Sequence, residues 1–350
     1  MESKTYLEIS DQYHALKRTL DCCDGAMERM RAFYASAEAE RIVVIGCGSS
    51  YSLSCALANN ARQMLGIPSM AIAGGDLMIH MENYSDVFAK RTLLVTLSRS
   101  GSTHEILYAA REIRAAFPAV RILSFVCTEG SNVAAASDAA LEFPWAFDES
   151  VCQTRSVTNL FGASLYVFAA LAGRTDAMES LRLLAERGTD YQDGMKETLR
   201  TLAEIDWANA MVLCDGESFG VAEEAALAFN EIAYAPSNCK HVLDVRHGPV
   251  VLIDEKTVAI AKLTREGFSY EKSLIDDLLA KKATILVLSD EELPAIEGVA
   301  AQFSFGARLH DSVSAMLVLP AAQLLSYEKA RARGLDPDNP EGLDAWIALK

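Results

Sequence analysis

The stretch Leu93-Leu94-Val95-Thr96-Leu97-Ser98-Arg99-Ser100-Gly101-Ser102-Thr103-His104-Glu105 decides the reading of this chain. An apolar run with the look of a buried strand breaks into hydroxyl residues around one glycine, and a helical pattern follows at once. Ser102 and Glu105 have the Ser-x-x-Glu spacing of a helix N-terminal capping box. Gly101 lets the backbone come close to a ligand, and the first-turn N–H groups of a helix have no partners within the helix. Hydroxyls and open N–H groups at the positive end of a helix form a pocket suited to a phosphate group. Taken alone, the segment also fits a serine-rich turn that does no more than cap a helix.

Outward from this segment, short apolar runs alternate with helical patterns, as in a parallel sheet covered by helices. The strands expected in the first half are 41–45, 70–73, 92–97 and 122–126; those in the second half are 210–214, 257–263 and 284–288. Residues 50–65, 102–116, 220–234 and 269–280 carry apolar side chains at helical spacing. An opening helix runs through Ile9, Tyr13, Leu16 and Leu20, and another covers roughly residues 180–204.

The two halves read as copies of one another. Ile45-Gly46-Cys47-Gly48-Ser49-Ser50-Tyr51 aligns without gaps with Leu213-Cys214-Asp215-Gly216-Glu217-Ser218-Phe219. Ser98-Arg99-Ser100-Gly101 aligns with Thr264-Arg265-Glu266-Gly267. Two strand–turn–helix units in the same order indicate a duplicated α/β domain. Glu266 stands where the first copy has Ser100, and a carboxylate there would repel phosphate. One phosphate site per chain is therefore expected, in the first half.

Composition narrows the function classes. The chain has 350 residues, enough for two domains of ordinary size, and 51% apolar residues, enough for a substantial core. Its net charge of −16 argues against nucleic acid and anionic membrane surfaces as partners, and leaves any phosphate site to rely on local donors. The N-terminus is polar, without the hydrophobic region of a signal peptide. The most apolar window, 160–173, is as long as a buried helix and too short to span a bilayer. The eight cysteines are scattered without Cys-x-x-Cys pairs, which disfavours a zinc site and suits a reducing compartment. Together these features read as a soluble cytoplasmic protein with no metal site.

Gly46-Cys47-Gly48 after a strand invites a dinucleotide reading, but the third glycine of that fingerprint is replaced by Tyr51. Gly48-Ser49-Ser50 serves better as a second hydroxyl-rich turn beside the first, at the strand ends where open parallel sheets collect ligands. Glu231 closes the helical pattern 222–232, and His247 opens Arg246-His247-Gly248-Pro249 before another apolar run. Gly-Pro after the histidine implies a rigid turn that would hold the imidazole in place. From spacing alone, Glu231 and His247 fit an exposed carboxylate and an incidental loop histidine as well as a catalytic pair.

These segments together resemble the tandem sugar-isomerase (SIS) domain family, which includes the isomerase half of glucosamine-6-phosphate synthase, tagatose-6-phosphate ketose/aldose isomerases and fructosamine-6-phosphate deglycases. The resemblance rests on residues 46–51, on Ser98-Arg99-Ser100-Gly101-Ser102-Thr103, on Glu149-Ser150-Val151-Cys152-Gln153-Thr154-Arg155, on Glu231-Ile232 and on Arg246-His247-Gly248-Pro249. It runs from about residue 8 to residue 325, in matching order and spacing. It implies an α/β fold of two tandem SIS domains, each a parallel sheet flanked by helices in three flavodoxin-like layers. The division expected is a helical lead-in over 1–35, SIS domains over 36–180 and 181–325, and a tail over 326–350.

Carried over by position, Ser98, Ser100, Ser102 and Thr103 would hold the phosphate, and Ser49, Ser50, Val151 and Gln153 the sugar. Relatives often have a serine where Gln153 stands. Glu231 matches the proton-transfer carboxylate, and His247 the histidine that helps open the sugar ring, in relatives supplied by the second subunit of a homodimer. The implied partner is a hexose phosphate or an amino-sugar or fructosamine phosphate, and no cofactor is implied. A histidine titrating near neutrality suits ring opening, and a partly buried carboxylate suits moving a proton between neighbouring carbons.

The resemblance also has departures. The isomerase-like pattern starts almost at residue 1, so ammonia transfer from glutamine is not expected, and no helix-turn-helix precedes it. Asp336-Pro337-Asp338-Asn339-Pro340-Glu341-Gly342-Leu343 resembles the family's closing segment, but Ala345 stands in place of the synthase lysine and Lys350 is the last residue. Arg246 and Val250 flank His-Gly-Pro where deglycases often have an aromatic residue, and Arg246 is expected in a salt bridge. A sensor that only binds a sugar phosphate is the competing class, for which Glu231 and His247 have no use.

Overall fold

Two five-stranded sheets, both wholly parallel, organise the chain in a computed structural model that describes residues 3–344. The strands are β1 (Arg41–Gly46), β2 (Ser69–Ala73), β3 (Thr92–Ser98), β4 (Arg121–Val126) and β5 (Ala139–Glu142), then β6 (Asn209–Leu213), β7 (Ser237–Lys240), β8 (Thr257–Lys262), β9 (Thr284–Ser289) and β10 (Ala301–Ser304). The first sheet has the order β2-β1-β3-β4-β5 and the second β10-β9-β8-β6-β7. Renumbered within its own half, each is 2-1-3-4-5, the doubly wound flavodoxin order. The duplication read from the sequence is thus a duplication of topology.

The chain divides into two compact units. The first comprises Asp11–Glu149 and Gln153–Glu186, with Asp344; the second comprises the described residues up to Ser10, Ser150–Cys152 and Arg187–Leu343. In the first, β3 is buried along its whole length, as a central parallel strand covered on both faces must be. Val43, Ile45, Leu94 and Ile122 present one face to Ile106, Ala109 and Ile113 of the helix His104–Ala116. The helices Ser49–Leu65 and Arg155–Ala172 pack on each other; the first of them lies against β1 and the second meets β4. Each fully buried Val, Leu or Ile contributes roughly 1.5–3 kcal/mol relative to exposure. In the second unit, Met211, Leu213, Ala259, Ala261, Ile285 and Val287 meet Leu274 and Leu278 of the helix Phe268–Ala280.

All seven strands expected from sequence are present, with ends shifted by a residue or so. The strands not anticipated, β5, β7 and β10, are all sheet edges. Ser237-Asn238-Cys239-Lys240 and Ala301-Gln302-Phe303-Ser304 have no fully buried residue, so neither carries the apolar run that marks a central strand. The apolar window 160–173 covers the later part of the helix Arg155–Ala172 and its C-cap Gly173, and every residue of the helix from Ser156 to Ala170 is buried. No helix among the described residues is long and apolar enough to cross a membrane.

The closing segment has a structural task within the second unit. The Asp338 carboxylate accepts hydrogen bonds from the Lys4 N–H (3.0 Å), the Thr5 N–H (2.8 Å), and the hydroxyls of Ser3 (2.6 Å) and Thr5 (2.8 Å). It caps the N-terminus of the helix Lys4–Ala37 from the far end of the chain. Burial works to raise the Asp338 pKa, but the Ser3 hydroxyl and the Thr5 and Lys4 amides outweigh it and hold the carboxyl below its ordinary range. Asp338→Ala is expected to lower stability by about 1–2 kcal/mol in denaturant titrations at neutral pH. Because the native pKa is depressed, this stabilisation is present above the usual value of 3.8 and is lost as pH falls through the native value. Wild type and variant should therefore converge in acid; a gap that persists there would assign the loss to packing.

Candidate functional site

The carboxyl ends of β1 and β3 lie side by side, with Ile45 in register with Thr96. From there the chain leaves β1 toward β2 and β3 toward β4, in opposite directions along the sheet. Crossovers of one hand then place the following helices on opposite faces, which opens a crevice between the strand ends. The crevice is a cleft of about 180 Å³. Cys47, Gly48 and Ser50 line it from the turn after β1; Leu97, Ser98, Arg99, Ser100, Thr103 and Glu105 line it from the turn after β3. Gln153 and Asp344 complete the described lining.

The β3 turn is held open by its own hydroxyls. Ser98 Oγ accepts the Gly101 N–H at 3.0 Å and pairs with Thr103 Oγ1 at 3.1 Å. Ser100 Oγ accepts the Ser102 N–H at 3.2 Å. Gly101 has φ +60°, and a Cβ there would lie 2.2 Å from Ser131 Oγ, so only glycine fits. The capping box expected between Ser102 and Glu105 does not form. The helix starts at His104 with Thr103 at its N-cap and no side-chain cap, because the Thr103 hydroxyl is turned to Ser98 and Glu105 faces the cleft. An uncapped helix start beside three hydroxyl side chains offers the kind of donors that hold an anion.

Three features of the lining were not anticipated. Arg99 is 4% exposed, stacks its guanidinium 5.8 Å from the centre of the Phe147 ring, and is the one cation in the described lining. Its position between two site serines was the available signal. Glu105 and Asp344 add two acidic residues to the lining that holds this one cation. The Cys47 thiol is pushed up to about 12 by burial and by the nearby Glu105 carboxylate, so it lines the cleft as a neutral group. Gln153 is positioned from behind: its Oε1 accepts the Ser156 hydroxyl at 3.3 Å. The buried Asp148 carboxylate accepts the N–H groups of Thr154 (2.9 Å), Arg155 (3.1 Å) and Ser156 (3.0 Å), fixing the start of the helix Arg155–Ala172.

The structure thus brings together Ser50, Ser98, Ser100, Thr103 and Gln153. Ser49 is buried at the start of its helix and Ser102 is exposed; neither is in the cleft lining. Val151 belongs to the second unit, where its N–H donates to the Asp338 carbonyl at 3.1 Å. Glu231 and His247 are also in the second unit. Glu231 is half-buried near the end of the helix Phe219–Ala233, which packs on β6 and on the helix Val318–Ala332. His247 is exposed, just after Val245, which packs with Leu274 and Leu278 against the other face of that sheet. Arg246 is in the expected salt bridge, 2.7 Å from Asp277. Ala345 and Lys350 lie outside the described residues.

In the second copy, the reason expected for a missing phosphate site needs correction. Glu266 is an exposed ion pair with Arg308 at 2.9 Å, not a group facing the turn. A different carboxylate, Glu271, accepts the Thr264 N–H (2.7 Å) and hydroxyl (2.9 Å).

A doubly wound sheet with a hydroxyl-rich cleft at its switch point defines a class, and the comparisons place the first unit within it. Residues 37–172 match the family model of the SIS domain, so this part of the chain is a SIS domain, as its motifs indicated, and the second half repeats the same architecture. The chain is 26% identical to the isomerizing glutamine–fructose-6-phosphate aminotransferase of Methanothermobacter thermautotrophicus, over 98% of this chain and 57% of that protein. It therefore spans little more than half the length of that relative. Among solved structures it is similar to the glucosamine-6-phosphate deaminase of Thermotoga maritima, with 26% identity and a TM-score of 0.84 over 99% of this chain and 100% of that one. The tagatose-6-phosphate ketose/aldose isomerase of Escherichia coli, at 22% identity and TM-score 0.87 over 99% and 98% of the two chains, shares the fold.

Gly101→Ala is expected to cost about 1–3 kcal/mol through its left-handed backbone, and more through the Ser131 contact. It should also abolish uptake of inorganic phosphate by the cleft in calorimetry. Wild-type stability together with unchanged uptake would show that this turn is not the anion cradle.

Proposed function

We propose that this chain is an aldose–ketose isomerase or isomerising deaminase acting on a hexose 6-phosphate of the amino-sugar class. The observation that carries the reading is the cleft itself, with Ser98, Ser100 and Thr103 gathered beside an uncapped helix start. A phosphate held there provides binding energy remote from the reacting carbons and fixes their orientation. Glu105 and Asp344, lining the cleft with the single guanidinium of Arg99, favour a substrate that carries an ammonium group as well as a phosphate. The similarity to the Thermotoga maritima deaminase, over nearly the whole of both chains, points the same way.

In this reading His247 moves a proton between the ring oxygen and the anomeric hydroxyl, opening the ring. Glu231 then takes the proton from C2 and returns it to C1. With an amino sugar the product is an imine at C2, and water hydrolyses it to a ketose phosphate and ammonia. The reading takes His247 from a second copy of the chain, in a cytoplasmic homodimer. Two observations support this. Within the second unit, the helix bearing Glu231 and the segment preceding His247 cover opposite faces of the sheet. Directly after His247-Gly248-Pro249, Val251 is 78% exposed and Leu252 69% exposed, apolar surface of the kind an interface buries.

Glucosamine 6-phosphate should yield ammonia and fructose 6-phosphate. Interconversion of sugar phosphates without ammonia would reduce the activity to an isomerase, and release of an amino acid from a fructosamine 6-phosphate would make it a deglycase. Binding with no turnover of any of these would leave a sensor. Glu231→Gln should keep ligand binding and lose at least about 100-fold in kcat, the range of general acid–base catalysis. Mixing inactive Glu231→Gln and His247→Asn chains should restore about a quarter of wild-type activity, because half the dimers are hybrids with one complete site. No restoration would place both groups in one chain.

A further inference from the structure

The two copies of the strand–turn–helix unit share more than sequence. In the first, Ser98 Oγ accepts the Gly101 N–H at 3.0 Å; in the second, Thr264 Oγ1 accepts the Gly267 N–H at the same 3.0 Å. Both turns come after the carboxyl end of the central strand and lead into a 13-residue helix. They differ beyond the glycine. In the first copy the helix begins at His104, two residues beyond Ser102, and leaves a cleft. In the second it begins at Phe268, directly after Gly267, and so swings Glu271 back over the turn.

Glu271 then sits in the cradle as a ligand would. Its two carboxylate oxygens accept the Thr264 N–H at 2.7 Å and the Thr264 hydroxyl at 2.9 Å. A Cβ on Gly267 would lie 2.6 Å from Glu271 Oε1, so the turn is shaped closely around the carboxylate. The residue is 5% exposed, and burial raises its pKa against the opposing effect of the Thr264 N–H and hydroxyl; the ammonium of Lys262, on a residue 6% exposed at the end of β8, also favours the carboxylate, and the Asp215 carboxylate disfavours it. Backbone N–H, hydroxyl, helix start and buried cation are donors that hold a phosphate as readily as a carboxylate. Lys262 occupies the β8 position two residues before Thr264, as Thr96 does before Ser98, so the second cradle carries a positive charge at a place where the first has none.

We propose that the second half retains an anion site whose resident ligand is the chain's own Glu271 carboxylate, and that removing this carboxylate opens a second phosphate site at Thr264, Gly267 and Lys262. The inference extends the phosphate reading of the first cradle to the second. It gives a physical cause for one phosphosugar per chain, because the second cradle is filled before any substrate arrives. It also assigns Glu271 a structural task, tying the start of the helix Phe268–Ala280 to the end of β8.

The probe is inorganic phosphate, followed by calorimetry and by its effect on the melting temperature, in the full chain. Ser100→Glu closes the first cradle and should remove phosphate uptake. Adding Glu271→Ala should restore one phosphate per chain, and phosphate should raise the melting temperature of the double variant but not of Ser100→Glu alone. A further Thr264→Val change should abolish the regained uptake. If Glu271→Ala folds poorly, rescue of its melting temperature by phosphate, absent in Ser100→Glu alone, supports the inference equally. A folded double variant that takes up no phosphate, with no thermal response, overturns the inference. Unchanged uptake in Ser100→Glu alone instead overturns the reading of the first cradle, and the gain or its absence on adding Glu271→Ala still decides the second.

Discussion

The handedness of the crossover between parallel strands is the constraint on which the rest of this structure depends. Right-twisted strands feeding right-handed helices pack back onto the sheet in only one way. When a chain moves from β1 outward to β2, and later from β3 outward to β4, that single hand forces the two helices to opposite faces. The carboxyl ends of β1 and β3 are left uncovered between them. The cleft is thus a consequence of topology before any functional side chain is chosen. What the sequence then supplies is chemistry: hydroxyls at residues 98, 100 and 103, a glycine that admits the left-handed turn at 101, and a helix start with no side-chain cap. The same constraint acts on the second sheet, with its identical strand order. There it separates the helix bearing Glu231 from the segment preceding His247.

The central strands were legible because burial on both faces demands an unbroken apolar run. Leu93-Leu94-Val95-Thr96-Leu97 and Val258-Ala259-Ile260-Ala261 announce themselves by composition alone. Edge strands have one neighbour and a solvent-facing side, and Ser237-Asn238-Cys239-Lys240 has the composition of a loop. Its strand character comes from pairing with β6, which is tertiary information. The duplication was legible too, because turns that must meet a helix at a fixed angle retain their glycines, here Gly48 against Gly216 and Gly101 against Gly267.

The site was legible to the level of segment but not of side chain. Residues 98–103 were identified as one cradle, yet Ser102 lies outside the cleft lining and Arg99 and Glu105 belong to it. The reason is local: a difference of two residues in where a helix begins rotates every later side chain by more than half a turn. Sequence spacing places a capping box over Ser102 and Glu105, but the Thr103 hydroxyl finds Ser98 Oγ instead, and the helix starts later. The same two-residue difference reverses the roles of Glu105 and Glu271 in the two copies. It also explains why Glu266, the carboxylate that aligns with Ser100, was a misleading signal: it is 65% exposed beside Arg308, while the acid that fills the cradle lies five residues further on.

With an overall charge of −16, the chain would repel an approaching phosphate dianion. At physiological ionic strength the Debye length is about 8 Å, so most of those charges are screened from a ligand in the cleft. At contact, donors at hydrogen-bond distance dominate, because charge-assisted hydrogen bonds contribute roughly 1.5–3 kcal/mol each whereas a fully solvated charge pair separated by several ångströms contributes about 1 kcal/mol or less. The repulsion therefore slows encounter more than it weakens the complex. Local carboxylates are another matter, because Glu105 and Asp344 line the same small cleft as Arg99. A ligand that is purely anionic meets two unfavourable partners there for one favourable one. A ligand that also carries a cation satisfies both signs. On the proposed reading, the charges lining the cleft weigh more in the choice of ligand than the net charge of the protein does.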